Sequence, residues 1–574
     1  MKRIRDSARC LTALGLILLA FLPCSLETAS AAARYPVRGR HGMVSSAEPF
    51  ATRAGLEILK AGGNAVDAAV AVGFALAVTY PAAGNLGGGG FLLLRKGDGS
   101  EVATIDFREK APRAAHRTVY QNEKGEVVPG LSTKGRLAAG VPGSVAGLLL
   151  ALERFGTRKP SEVIAPAIRL AEEGFPVSFS LAESLRANQK LLSDFPESRR
   201  IFLREGRLFE EGDLFRQPEL ARTLGMISKD GARAFYEGRI AEWIAADSRA
   251  EGGWITREDL LAYRPLIRKA LKGTYRGTEI YSMGPPSSGG VALFEILNLL
   301  EGFPLGRYGH NSSQGLHLII EAMRQAFADR AEFLGDADFV KVPVAGLIDK
   351  NYASALRADL DPYHARKSEA VGHGTPPATE ATETTHYSVV DQEGTAVAVT
   401  TTINGSFGCG VTVKEAGFLL NNEMDDFTSK PGVPNMFGLL QGEANAIAAG
   451  KRPLSAMTPI IAVREGKNFL VMGSPGGPTI INTVLQVLLN VVEYGMNIQE
   501  AVDAPRIHHQ WMPDQVRVER YGFSADVLQA LQARGHRLEP SGSIGDAQGI
   551  LIDPQTGVRM GASDPRHSGQ AAGY

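Results

Sequence analysis

The sequence predicts an α+β protein, a layered αββα sandwich of two stacked sheets flanked by helices. Three observations predict it. Amphipathic helical patterns and one hairpin occupy the chain up to about residue 350, hairpins and a long apolar helix follow a polar stretch after residue 361, and each part can cover a sheet with helices. At 574 residues the chain exceeds what one hydrophobic core usually serves, so two core-forming units or one large composite domain are expected. No repeat of fixed period recurs.

Taken in order, residues 1–33 read as a secretory signal. Lys2, Arg3, Arg5 and Arg9 precede an apolar run from Leu11 to Leu22, and "ETASAAAR" offers small-residue cleavage sites. The run is too short to span a bilayer comfortably, and Cys24 after Pro23 is a poor context for lipid attachment. Export without a membrane anchor is expected, to the periplasm or into the medium. Cys10 and Cys24 leave with the signal, so Cys409 remains alone and no intramolecular disulfide can form. The composition, 44% hydrophobic and 21% charged, is that of a soluble globular chain, and a net charge of −1 gives no footprint for nucleic acid.

"SSAEPFATRAGLEILKAGGNAVDAAVAVGFALAVTYP" reads as two helices broken at Gly62-Gly63, the second ending before Pro81. "GNLGGGGFLLLRKGDGSEVATIDFRE" reads as a glycine-rich turn and a hairpin with "GDG" at its tip. Residues 140–350 read as mostly helical. Residues 361–383 are almost without apolar side chains and read as a linker. A hairpin turning at Gln392-Glu393-Gly394, a second turning near Glu465-Gly466 and the helix "PTIINTVLQVLLNVVEYG" follow.

Several familiar sites are absent. There is no Gly-x-Ser-x-Gly elbow, no P-loop and no His-Glu-x-x-His. His508-His509 are neighbours that cannot share a helix face, so no metal is expected, and nothing calls for a cofactor. The informative place is the end of the linker, where "ATETTHYSVVD" passes abruptly into an alternating strand at Thr384 and Thr385. Two readings fit. One is an ordinary strand start, for which threonines are unremarkable. The other is self-cleavage between Glu383 and Thr384, which would give a threonine hydroxyl its own α-amine as base, with pKa about 7.7–8.0.

The wider set of motifs bears on that choice. "GNLGGGGF", "DFRE", "TTHYSVVD", "LLNNEMDDF", "KPGVPN", "RPLSAMTP", "GSPGG" and "GASDPR…AAGY" occur in this order. Together, from about residue 36 onward, they closely resemble the γ-glutamyltransferases (γ-glutamyltranspeptidases), self-processing enzymes of the N-terminal-nucleophile hydrolase class.

The resemblance implies a large fragment of residues 34–383 and a small one of 384–574, associated as a heterodimer. It implies that Thr384 cleaves the chain and then attacks γ-glutamyl amides such as glutathione, passing the acyl group to water, amino acids or peptides. Thr402 would lie against the nucleophile. The backbone N–H groups of Gly476 and Gly477 would face the oxyanion, where glycine lets the backbone come close; one such donor is typically worth about 3–4 kcal/mol. Arg108 would bind the substrate carboxylate through a planar fork, and Asn404, Glu423 and Asp426 its ammonium.

Two departures stand out: Ser455 matches the first of a family Ser-Ser pair while Ala456 replaces the second, and Phe437 stands where some relatives carry a lid tyrosine. His386 reads as structural. A glutaryl (cephalosporin-type) acylase of the same fold is the alternative, and a periplasmic solute-binding protein the remote one.

Overall fold

Helices form on both sides of the Gly62-Gly63 break, over Pro49–Lys60 and Ala65–Thr79. The second is capped by Asn64, whose Oδ1 accepts from the N–H groups of Val66 and Asp67 at 2.9 and 3.0 Å, while Asp67 Oδ2 accepts from Asn64 N–H. Every residue of that helix is buried, which explains a sequence without a polar face. This computed structural model describes residues 34–204, 207–376 and 386–574, and Pro36–Tyr574 form one unit.

Two seven-stranded antiparallel sheets make the centre. One runs Val37–Gly39, Arg559–Ser563, Gln548–Ile552, Lys467–Gly473, Ile460–Arg464, Thr278–Ser282 and Leu271–Tyr275 in spatial order. The other runs Gln570–Gly573, Met43–Ser46, Tyr387–Val390, Ala396–Thr402, Gly89–Arg95, Val102–Asp106 and Leu266–Arg268. A dry layer drawn from both sheets, including Met43, Leu93, Val390, Ala398, Ile461, Val471 and Ile550, fills the space between them. The outer faces pack on separate helical layers, the second sheet on Ala65–Thr79 and Ser144–Phe155, the first on Gly289–Leu300, Ser313–Phe333 and Thr479–Val492. The result is the αββα sandwich, an α+β fold.

Both predicted downstream hairpins are present, and Gly394 and Gly466 adopt φ of 80° and 76° at their turns. The mostly helical reading of residues 140–350 needs correction at Leu266–Arg268, Leu271–Tyr275 and Thr278–Ser282. The last two form a hairpin through Arg276 and Gly277, both at positive φ. The linker also needs correction over residues 361–376. Ser368 is buried, Trp511 Nε1 donates to the carbonyls of Ser368 and Val371 at 2.9 and 3.1 Å, and Asp329 Oδ1 accepts from Gly374 N–H at 2.8 Å. Polar composition there reflects hydrogen-bonded anchoring.

His386, His508 and His536 are buried, and burial pushes each imidazole down from 6.5 to about 3. His508 accepts from Asn482 at 2.7 Å and pairs with Gln510 at 2.8 Å, while His536 shares a 2.8 Å hydrogen bond with His317. The unfolded chain would bind these protons below pH 6.5 while the folded chain resists them down to about 3. Stability is therefore complete above pH 6.5 and is lost as the pH falls, by about 1.4 kcal/mol per unit for each histidine. Buried carboxyls raised toward 7, such as Glu109, take up protons over the same range and oppose this slope, so the histidine share is read by difference, from thermal midpoints at neutral pH and about pH 5. His508→Gln should flatten the slope by one histidine's share.

Candidate active site

Glu383 and Thr384, the expected cleavage pair, lie outside the described residues. The chain enters description at His386, just before the strand Tyr387–Val390 in the middle of the second sheet. His386 is buried, its Nε2 2.5 Å from Ser388 Oγ, and a Cβ on Gly473 would lie 2.5 Å from its ring. It fills a fixed slot between the sheets as a neutral imidazole.

The adjoining strand Ala396–Thr402 ends at a cavity of about 470 Å³. Thr402, Asn404, Glu423 and Asp426 line it, with Ser455, Ala456, Gly476 and Gly477. Eight residues from four separate stretches of sequence thus meet in one place. Thr402 Oγ1 accepts from Asn404 N–H at 2.7 Å, and Asn404 takes a φ of 70°, a left-handed conformation that asparagine tolerates. Asn404 Nδ2 donates to Asn422 O, and Asn422 Oδ1 accepts from Gly405 N–H, so the segments 402–405 and 421–426 are laced together.

"LLNNEMDDF" is a short helical turn over Glu423–Asp426 with every side chain of the turn buried. Asn421 fixes its approach by donating to the carbonyls of Gly87 and Gly140 and accepting from Glu423 N–H. The two aspartates divide. Asp425 accepts from Ser132 Oγ at 2.7 Å and Met436 N–H at 2.9 Å, whereas Asp426 Oδ2 takes Arg108 Nη2 at 2.6 Å. Arg108 Nη1 donates to Glu423, and its Nε to Pro453 O at 3.2 Å. Arg108 is fully buried and stands behind these acids, itself outside the cavity lining.

Three carboxyl groups share the neighbourhood of Arg108: Glu109, Glu423 and Asp426. Burial raises all three, against the pull of the guanidinium; Glu109 reaches about 7, and Glu423 lies well above the usual range. Among the described residues neither oxygen of Glu109 has a hydrogen-bond partner, nor does Glu423 Oε2.

On another wall, "GSPGG" turns into the helix Thr479–Val492. Gly476 and Gly477 take φ of 130° and 56°, and Thr479 Oγ1 donates to Gly476 O at 2.8 Å. Neither glycine N–H has a hydrogen-bond partner among the described residues. They sit at a helix N-terminus, where unclaimed donors and the helix dipole favour negative charge. Phe437 covers Gly477: a Cβ there would lie 3.1 Å from its ring. The loop carrying Phe437 is tied by Asp425 to Met436 N–H, by Asn435 Oδ1 to Phe437 N–H and by Gln510 Nε2 to Phe437 O. Ala456 is buried and packs with the helices over the first sheet.

Sequence reasoning passed over three further lining residues: Arg330, Arg517 and Asp546. Arg330, on the helix Ser313–Phe333, is buried and donates from Nε to Ser288 Oγ, which in turn donates to Ser455 O. A charged residue on the core side of that helix was the available signal. Asp546 is buried, with Oδ2 unpartnered among the described residues, and burial raises its pKa well above the usual range. Nothing in "SIGDAQGI" marked it.

Comparison with known proteins gives a consistent picture. The family model for Gamma-glutamyltranspeptidase matches residues 51–574. The glutathione hydrolase proenzyme of Escherichia coli is 49% identical over 533 residues, covering 93% of this chain and 91% of the relative. A cephalosporin acylase from Bacillus halodurans superimposes with a TM-score of 0.85 at 30% identity, covering 96% and 99% of the two chains. A chain of Helicobacter pylori gamma-glutamyltranspeptidase is 47% identical with a TM-score of 0.57, covering 57% of this chain and 94% of its own.

The geometry makes Arg108 structural as well as electrostatic. Arg108→Met should cost about 3–5 kcal/mol by leaving buried acids uncompensated, read as a lower urea midpoint. The loss should shrink in acid, because the freed carboxyls then bind protons.

Proposed function

The chain belongs to the gamma-glutamyltranspeptidase family, and from that premise we propose that Thr384 cleaves its own chain and then γ-glutamyl amides, glutathione among them. The Thr384 hydroxyl adds to the Glu383 carbonyl, the peptide nitrogen leaves with a proton, and water hydrolyses the resulting ester. Fragments 34–383 and 384–574 result, and Thr384 gains a free α-amine. Both fragments supply strands to both sheets, so the cut separates no sheet from its partners. Relatives carried as proenzymes accord with this maturation.

In turnover the α-amine takes the hydroxyl proton as Oγ attacks the γ-carbonyl. The carbonyl oxygen becomes an oxyanion facing the N–H groups of Gly476 and Gly477. Collapse expels the amine with the transferred proton and leaves a threonyl ester, which water or an acceptor amine then opens. Thr402 steadies the nucleophile. Glu423 Oε2 and Asp426 face the α-ammonium, with Asn404 beside them and Arg108 holding both acids from behind, and Ser455 and the Ala456 backbone serve the carboxylate. The observation that carries the reading is the pairing, in one cavity, of two unclaimed N–H groups at a helix start with buried acids able to hold an ammonium.

Residues 1–33 would direct export and then be lost. Among the described residues no helix is long and apolar enough to cross a membrane. The glutaryl acylase is the second reading, favoured by the structural likeness to the cephalosporin acylase. A glutaryl group has no ammonium, so it would leave Asp426 and Glu423 without a cation.

Intact mass under denaturing conditions should show two fragments, the smaller starting at Thr384, and one uncut chain for Thr384→Ala. A wild type that stays whole would defeat the mechanism. Asp426→Asn should lose at least about 100-fold in kcat/KM for γ-glutamyl-p-nitroanilide, from a lost buried charge-assisted contact, and much less for a glutaryl anilide. Equal losses on both would count against the ammonium role.

A further inference from the structure

The cavity has a second group of lining residues that the chemistry above leaves unused. Arg517, Ser543, Gly545 and Asp546 come from the strand Val516–Glu519 and the loop ahead of Gln548–Ile552. A Cβ on Gly476 would lie 3.6 Å from Gly545 Cα, whereas one on Gly477 would lie 3.1 Å from the Phe437 ring. The glycine turn therefore stands between two regions. On the Phe437 side lies Asp426, joined to the Phe437 loop through Asn435. On the other side lies the loop 543–546.

Arg517 is the permanent charge of this second region. Burial and the nearby Asp564 push the Asp546 carboxyl there well above the usual range. Arg517 is half-buried, and its Nε and Nη2 donate to Ser541 Oγ at 3.3 and 3.0 Å. Among the described residues no carboxylate pairs with it, not even Glu539, its register partner on the neighbouring strand. Ser541 thus fixes the plane of the guanidinium while Nη1 stays available. With the α-ammonium of a γ-glutamyl amide at Asp426 on the Phe437 side, the amine component on its γ-carbonyl would extend to the other side of the glycine turn.

We propose that Arg517 recognises the carboxylate of that amine component: the departing dipeptide of a donor such as glutathione and, in transfer, an incoming amino acid or peptide. This rests on the γ-glutamyl reading above. The guanidinium fork offers a carboxylate two hydrogen bonds plus charge, and lysine keeps only the charge. Arg517 would then be a specificity residue, acting on which amines enter and leave.

The test uses full-length Arg517→Gln and Arg517→Lys enzymes with two matched pairs. As donors, glutathione carries a carboxylate on its leaving group and γ-glutamyl-p-nitroanilide does not. As acceptors, glycylglycine carries one and glycylglycinamide does not. In Arg517→Gln the kcat/KM ratio of glutathione to anilide should fall about tenfold, and the ratio of acceptor KM values should shift about tenfold against glycylglycine. Arg517→Lys should recover part of both. Unchanged ratios in an enzyme that still cleaves the anilide overturn the proposal, as do equal losses on all four compounds, which would mark Arg517 as structural. A wild type that turns over no γ-glutamyl donor would instead defeat the functional reading, and this proposal with it.

Discussion

A single guanidinium, wholly buried, holds the acidic end of the cavity together. Arg108 leaves the strand Val102–Asp106 and ties Glu423 and Asp426 from a turn more than three hundred residues later. Desolvating such a group is tolerable only with close partners, and it has more than enough: Glu109 stands beside them at 3.6 Å. Three acids around one arginine cannot all ionise cheaply in a dry site, which is why their pKa values rise. A second cation supplied by a ligand would relieve that imbalance. Binding an ammonium there would pull the acids down and release protons, so the pocket is built electrostatically short of positive charge.

The same logic of crossing connections holds the fold across position 384. The strand Tyr387–Val390 lies between Met43–Ser46 and Ala396–Thr402, and Gln570–Gly573 closes the edge beyond Met43–Ser46. Strands from before and after position 384 thus interleave, and the dry layer between the sheets draws on both. Burial of that layer is lost only if both sheets come apart. Anchoring of residues 361–376 by Trp511, Asp329 and Arg324 extends the same principle to the approach to position 384.

How much of this could be read in the sequence depends on the range of the forces involved. The helices at Pro49–Lys60 and Ala65–Thr79 and the hairpins with turns at Gly394 and Gly466 were legible, because caps, glycines and periodicity act within a few residues. The strand pair Leu271–Tyr275 and Thr278–Ser282 was missed although Arg276-Gly277 marks its turn, since flanking helices dominated the pattern. The strands Gln548–Ile552 and Arg559–Ser563 pair with each other locally, but their place inside the first sheet comes from the distant Lys467–Gly473 and Val37–Gly39. Within the site, motifs brought eight cavity residues to light. Composition and spacing alone would not have joined them; Arg330 carried a signal only as a charge on the core side of its helix, and Arg517 and Asp546 had no local signal because their place comes from where the chain folds back. Nor did the sequence say that Arg108 would sit behind Glu423 and Asp426, a matter of side-chain depth.

The two departures at the cavity wall take on a common physical sense in this setting. Phe437 has no hydroxyl to latch a lid, yet the Asp425, Asn435 and Gln510 contacts hold its loop through backbone groups that any residue at 437 would offer. Ala456 lacks a hydroxyl, yet its methyl packs into the helical layer behind the wall. Both changes trade a polar atom for apolar contact in the cavity wall. Fewer polar atoms there leave fewer sites for ordered water beside Gly477, while recognition of charged groups stays with the acids around Arg108. Polar groups are thereby concentrated at fixed, buried positions, and the Phe437 loop contributes shape.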